Sequence, residues 1–262
     1  MTRSAWFRMG PIVVVFATTA CWMWTPDLDA DAVAAAALMQ RYGPEKSSQG
    51  PEEWIIRDYF ADRRGGFFVD VGAGLAQRNS NTWFLEHERG WSGLAVDAQA
   101  TFAREWAQDR PASTFVTAFV SDRSGGTGRL WLSAIDWSVA STRQLFTARF
   151  GPIAGYVDVP MLTLTDILAR AQVTTIDLLS MDIELAEPQA LAGFDLARFR
   201  PALVGIEAHH EVRQQILDYF AARQYRLIGR YLRIDVTNLW FMPGGFDVDE
   251  GRSQVSHRAP SS

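Results

Sequence analysis

Short apolar runs alternate with amphipathic stretches from about residue 51 to about residue 242. The runs Gly66–Val71, Ser92–Asp97, Ser113–Val120, Ile176–Met181, Ala202–Ile206, Tyr225–Gly229 and Ile234–Phe241 are rich in β-branched and aromatic residues. Glycine, proline or polar breaks bound them, which predicts strands. Asn81–Arg89, Ala98–Gln108, Thr163–Ala171, Pro188–Phe194 and Glu211–Arg223 carry helical spacing. Strand–helix alternation implies right-handed crossovers and a doubly wound α/β sheet, mostly parallel, with helices on both faces. The short link at Arg230–Arg233 allows an antiparallel edge pair. Asp122–Pro160 breaks the alternation, and its Gly125-Gly126-Thr127-Gly128 turn predicts an insertion with hairpin-like pieces.

The two ends have other patterns. Arg3 and Arg8 flank the start of an apolar run, Met9–Trp24, that stops at Pro26. A helix of that run falls short of the roughly 30 Å of a bilayer core. Extension back through Ala5-Trp6-Phe7 makes up the length, with Trp6, Trp22 and Trp24 at the two interfaces. Residues 1–25 are therefore expected to be a single-pass signal-anchor or a cleaved signal peptide. A cleaved signal would have a poor site at Thr18-Thr19-Ala20. The domain is expected to be membrane-anchored or exported; Arg3 and Arg8 before the span favour the side outside the cytosol, and the side of the membrane stays open. Residues 26–50 are expected to be a stem with a short helix over Ala32–Tyr42, residues 51–242 one domain, and residues 243–262 a disordered tail.

Composition narrows the classes. At 48% hydrophobic and 21% charged, the chain can bury a core, which excludes a mainly disordered protein. A net charge of −5 argues against a broad nucleic-acid surface. The one cysteine, Cys21, excludes an intrachain disulfide and a cysteine zinc site.

In a doubly wound sheet, ligands bind beyond the carboxyl ends of the strands. The first such loop is Asp70-Val71-Gly72-Ala73-Gly74, where the glycines permit a tight turn and close approach of a ligand. A dinucleotide fingerprint would place a third glycine at Gln77, which disfavours a nicotinamide-dependent oxidoreductase. A carboxylate at Asp70 would repel a pyrophosphate and suits a cationic amine, which points to S-adenosylmethionine. Asp97, ending the second strand, suits the two ribose hydroxyls, and Ala118–Asp122, with Ser121, suits an adenine. Asp182 and Glu184 leave the fourth strand on one side, and Glu207-Ala208-His209-His210 ends the fifth. The alternatives are structural: Asp70 as a turn cap, Asp97 as a helix cap, Asp182 and Glu184 as solvated loop acids, and a surface His209.

With these residues in place, the chain resembles the FkbM family of methyltransferases. The similarity lies in Phe67–Ala73, Ser80-Asn81-Thr82, Gly90-Trp91-Ser92-Gly93-Leu94 leading to Asp97, and Leu162–Leu168. It continues in Ile176–Glu184 with Glu187, and in Leu203–Glu207, covering roughly residues 55–242. The resemblance implies a class I, Rossmann-like seven-stranded fold and S-adenosylmethionine as methyl donor. It implies O-methylation of a small-molecule or glycan acceptor, such as a sugar or secondary metabolite. Asp70, Gly72, Ala73, Gly74, Asn81, Asp97, Ala118 and Ser121 are then the cofactor-binding candidates. Asp182, Glu184 and His209 are the catalytic candidates. A divalent metal held by Asp182, Glu184 and His209 is chemically possible, but the spacing matches no metal motif, so no metal ligands are assigned. Leu185 stands where the family usually has glycine, and Asp97 where it often has glutamate. The rival reading is a membrane-anchored binding module on a degenerate methyltransferase fold.

Overall fold

A computed structural model describes residues 28–245. The expected anchor or signal segment, residues 1–25, lies outside the described residues, as does the expected tail from residue 246 onward. Among the described residues, no helix is long and apolar enough to cross a membrane.

The elements, in order, are α1 (Leu28–Tyr42), α2 (Glu52–Phe60), β1 (Phe67–Val71), α3 (Trp83–Arg89), β2 (Ser92–Asp97) and α4 (Ala103–Asp109). Next come β3 (Ser113–Thr117), β4 (Phe119–Val120), β5 (Thr127–Ser133), α5 (Gln144–Thr147), β6 (Ile153–Leu162) and α6 (Leu164–Arg170). The chain continues through β7 (Leu178–Met181), α7 (Glu187–Ala192), α8 (Leu196–Phe199), β8 (Leu203–Glu207), α9 (Arg213–Ala221), β9 (Tyr225–Leu227) and β10 (Asn238–Pro243).

The main sheet has seven strands in the order β3-β2-β1-β7-β8-β10-β9. The pairs from β3 to β8 are parallel, whereas β10 runs antiparallel to both β8 and β9. The antiparallel pair expected at one edge is therefore β9 with β10. Chain order reverses between β1 and β7, which makes their carboxyl ends the switch point.

Side chains alternate between two faces along each strand. On β1, Phe68 joins a core with Leu38 of α1, Ile55, Ile56 and Phe60 of α2, and Leu85 of α3. Val69 and Val71 join the opposite core with Leu164 and Leu168 of α6, Leu191 of α7, and Ile216 and Phe220 of α9. On β7, Leu178 divides from Leu179 and Met181 in the same way. Helices therefore cover both faces, as the alternation predicts.

Two local results differ from the sequence pattern. The expected third strand, Ser113–Val120, divides at Ala118, whose amide donates to the Asp97 carbonyl at 3.0 Å. Beyond it β4 leaves the main sheet and pairs with β6. β5 and β6 form the expected hairpin, antiparallel, and with β4 make a three-stranded second sheet. Residues 28–50, expected as a stem, are built onto the domain instead. Leu38 is buried among Ile55 and Tyr59, and Arg57 donates to the Tyr42 carbonyl at 3.2 Å. The Ser47 amide donates to Glu53 at 2.7 Å.

Candidate functional site

A cavity of about 570 Å³, its mouth included, opens over the ends of β1, β2, β4 and β7. Its floor holds Val71, Gly72, Val96, Asp97 and Ala118. The insertion supplies a roof of Leu130, Trp137 and Ala140, and Asp182 and Glu184 complete the lining. The wall is mostly apolar with a few acids, the usual make-up of a small-molecule site.

The first loop is shaped by close packing. Gly72 has φ +84°, and a Cβ there would overlap the Asp182 carbonyl. Its amide donates to the Val96 carbonyl at 2.8 Å, and the Asp182 amide donates to the Val71 carbonyl at 2.9 Å. These bonds bring three strand ends together around the missing side chain. Gly74, at φ +56°, lies under the Trp137 ring, where a Cβ would come within 2.5 Å.

Asp97 holds that loop directly. One carboxylate oxygen accepts the Gly74 amide at 2.9 Å and the other accepts the Gln99 amide at 2.7 Å. Burial pushes its pKa up to about 6, against the pull of the two backbone bonds. Asp97 is thus both the turn cap and an acid facing the cavity.

Asp70 lies beneath the cavity rather than in its wall. It accepts the Thr82 hydroxyl at 2.9 Å and bonds Ser180, whose hydroxyl accepts from Asn81 at 3.1 Å. Burial pushes its pKa up to about 6. Asn81 is likewise engaged, and Ser121 is fully buried, bonded to Asp122 and Gln189. Ala73 is packed with Ala95 and Trp106. Of the expected cofactor residues, Gly72, Asp97 and Ala118 are in the cavity wall. Asp70, Ala73, Asn81 and Ser121 support it from behind, because their side chains are spent on buried packing and hydrogen bonds.

The supporting network ends in a pair that sequence reading missed. Arg110 is fully buried and donates to Glu86 at 2.7 Å, to the Ala76 carbonyl at 2.8 Å and to the Thr82 carbonyl at 3.1 Å. Nothing in the local pattern marks Arg110, since its partners lie far away in the chain.

The acids beyond β7 belong to a cluster. After β7 the chain turns through Glu184 and Leu185, both at positive φ (54° and 77°). Leu185 keeps the left-handed turn that glycine favours and buries its side chain in the core. The turn points Glu184 at His209 Nε2, 3.2 Å away, and Glu207 Oε2 lies 3.2 Å from the same nitrogen. Asp182 shares a side-chain hydrogen bond with Glu207. Glu187, at the start of α7, accepts the Ile183 amide at 3.0 Å through one oxygen. Its other oxygen is buried and without a partner. Desolvation raises the pKa of all four carboxyls; repulsion by neighbouring acids adds to it at Glu184, Glu187 and Glu207, whereas at Asp182 the Glu207 hydrogen bond and His209 oppose it. The structure thus joins the three expected catalytic residues, Asp182, Glu184 and His209, and adds Glu187 and Glu207. His209 reaches the cavity through Glu184.

A family model for the methyltransferase FkbM domain matches residues 70–227. Nothing among curated proteins matches the chain. Among solved structures, a TehB-like SAM-dependent methyltransferase from Corynebacterium glutamicum is 14% identical, with a TM-score of 0.41. The match covers 84% of this chain and 100% of that one. A SAM-dependent methyltransferase from Geobacter sulfurreducens, in complex with S-adenosylhomocysteine, is 9% identical, with a TM-score of 0.38. That match covers 86% of this chain and 88% of the other.

Proposed function

Because the chain belongs to the FkbM methyltransferase family, we propose that it transfers a methyl group from S-adenosylmethionine to a hydroxyl of a carbohydrate or secondary metabolite. The observation that carries this reading is one cavity at the strand ends lined by Asp97 together with Asp182 and Glu184. Asp97 is the acid for the ribose hydroxyls. Ala118 and Phe119 give the adenine an apolar slot, and Gly72 leaves backbone close to the methionine end.

S-adenosylmethionine, held by Asp97, Gly72 and Ala118, would supply the methyl group with a neutral thioether as leaving group. The chain's task is to hold the acceptor oxygen in line with the methyl carbon and sulfur, which supplies most of the acceleration. As the carbon–oxygen bond forms and the carbon–sulfur bond breaks, the hydroxyl proton passes to Asp182, which faces the cavity. The roof residues Leu130, Trp137 and Ala140 keep water from the methyl.

The N-terminal basic–apolar segment belongs to the same proposal as a membrane tether or export signal, supported by its charge and hydropathy pattern.

Calorimetric titration of S-adenosylhomocysteine into the full chain tests the donor site. Micromolar binding is expected, lost in Asp97→Ala and retained better in Asp182→Ala. The reverse order, or no binding to folded protein, refutes the assignment. With labelled donor and a panel of glycans, the transferred methyl should survive mild alkali, as an ether does and an ester does not.

A further inference from the structure

We infer that Asp182, Glu187 and Glu207 form a binding site for one hard divalent cation of the Mg²⁺ or Mn²⁺ class beside the cavity, with Glu184 and His209 at its rim. Oxygen atoms of Asp182, Glu187 and Glu207 lie within 4.8 Å of one another, as do ligand atoms of Glu184, Glu207 and His209. Glu207 belongs to both groups, so the two sets are continuous. The residues come from the ends of β7 and β8, the turn after β7 and the start of α7.

The acids alone would not make a site. The second observation is Glu187, fully buried, with Oε2 lacking any hydrogen-bond partner. That oxygen belongs to a side chain whose other oxygen is fixed by the Ile183 amide, so its direction is set. Buried polar atoms are ordinarily satisfied, and an exception calls for an absent water or ion. Proton sharing joins Asp182 to Glu207 but leaves the Glu187 oxygen without a donor. A cation fills that place and offsets the clustered charge, whose ion-pair partner at the site is His209. A set of carboxylate oxygens suits Mg²⁺ or Mn²⁺ better than softer metals.

Its use in catalysis rests on the function proposed above: a cation beside Asp182 would hold the acceptor hydroxyl as a Lewis acid. Binding itself does not depend on that reading. The test is Mn²⁺ titration of the full chain by electron paramagnetic resonance, with thermal melts in parallel. One Mn²⁺ per chain is expected, displaced by Mg²⁺, with a raised melting temperature. Glu187→Gln and Glu207→Gln should each weaken binding at least about tenfold and abolish the rise in melting temperature. His209→Gln, at the more exposed rim, gives a second readout should the buried variants fold poorly, and should weaken binding as well. No saturable Mn²⁺ binding, unchanged affinity in the variants, or tight Zn²⁺ binding without Mn²⁺ overturns the site. S-adenosylhomocysteine binding without Mn²⁺ binding overturns the metal alone, and Mn²⁺ binding without S-adenosylhomocysteine binding overturns the function alone.

Discussion

Arg110 donates through Nε to Glu86 at 2.7 Å, and the guanidinium is fully shielded from solvent. The same group holds the Ala76 and Thr82 carbonyls and touches the Thr82 hydroxyl at 3.2 Å. Thr82 in turn donates to Asp70 under the first loop. One cation therefore ties the chain after the glycine loop to the turn before β3. Arg110→Met removes it and leaves Glu86 buried and unpaired. Such a loss costs about 3–5 kcal/mol. Urea denaturation at neutral pH should show it, and Arg110→Met with Glu86→Leu should recover part of the loss. A cost below about 1 kcal/mol would mean the pair is replaceable by water.

Gly72 is the tightest point of the candidate site. Its φ of +84° and the Asp182 carbonyl facing its Cα leave no room for a methyl group. Gly72→Ala should destabilise by about 2–4 kcal/mol, combining backbone strain with overpacking. Because β1, β2 and β7 meet there, S-adenosylhomocysteine affinity should fall further than stability alone explains. Melting and calorimetry on one sample separate the two effects. A Gly72→Ala chain with wild-type stability would refute the packing.

Much of this architecture is legible in the sequence because it rests on local periodicity. The apolar run through Phe68 and Val69 marks the strand and Asp70-Val71-Gly72 its end, while the face each side chain takes is set by the helices packed on it. Asp97, Asp182 and Glu184 are visible because each ends an apolar run. Arg110 and Glu86 are not, because their meaning lies in partners that only the fold supplies. Arg110 looks like an ordinary arginine at a helix end. Leu38 is hidden in an alanine-rich helix for the same reason: its apolar partners, Ile55 and Tyr59, belong to the next helix. Asp70 shows the converse, since its position suggests a ligand and its hydrogen bonds are internal.

Asp97 predicts an inverted pH response. Its folded pKa is about 6, above the ordinary 3.8, because it is buried. The folded state therefore holds a proton that the unfolded chain has released between those values. Its contribution to stability is present at pH below about 4 and is lost as pH rises through about 6. Asp97→Asn, which keeps an oxygen for the Gly74 or Gln99 amide, should flatten this part of the profile. Urea midpoints at intervals from pH 4.5 to 7.5 measure the difference between the two proteins. A difference that does not change across that window would mean Asp97 titrates normally.

Leu185 carries opposing effects that substitution can separate. Its left-handed backbone costs a bulky residue about 1–2 kcal/mol, while its side chain is buried beside α7 and β7. Leu185→Ala keeps the strain and loses the packing, at about 2–5 kcal/mol. Leu185→Gly loses the same packing and relieves the strain. The glycine protein should therefore be more stable than the alanine protein by about 1 kcal/mol, the reverse of the order in a helix interior. Both should be less stable than the wild type, because the lost contacts outweigh the relieved backbone. The turn also aims Glu184 at His209, so the glycine protein should keep more of the acid cluster's geometry. Paired denaturation curves decide the matter: an alanine protein more stable than the glycine protein would show that position 185 does not hold the left-handed turn.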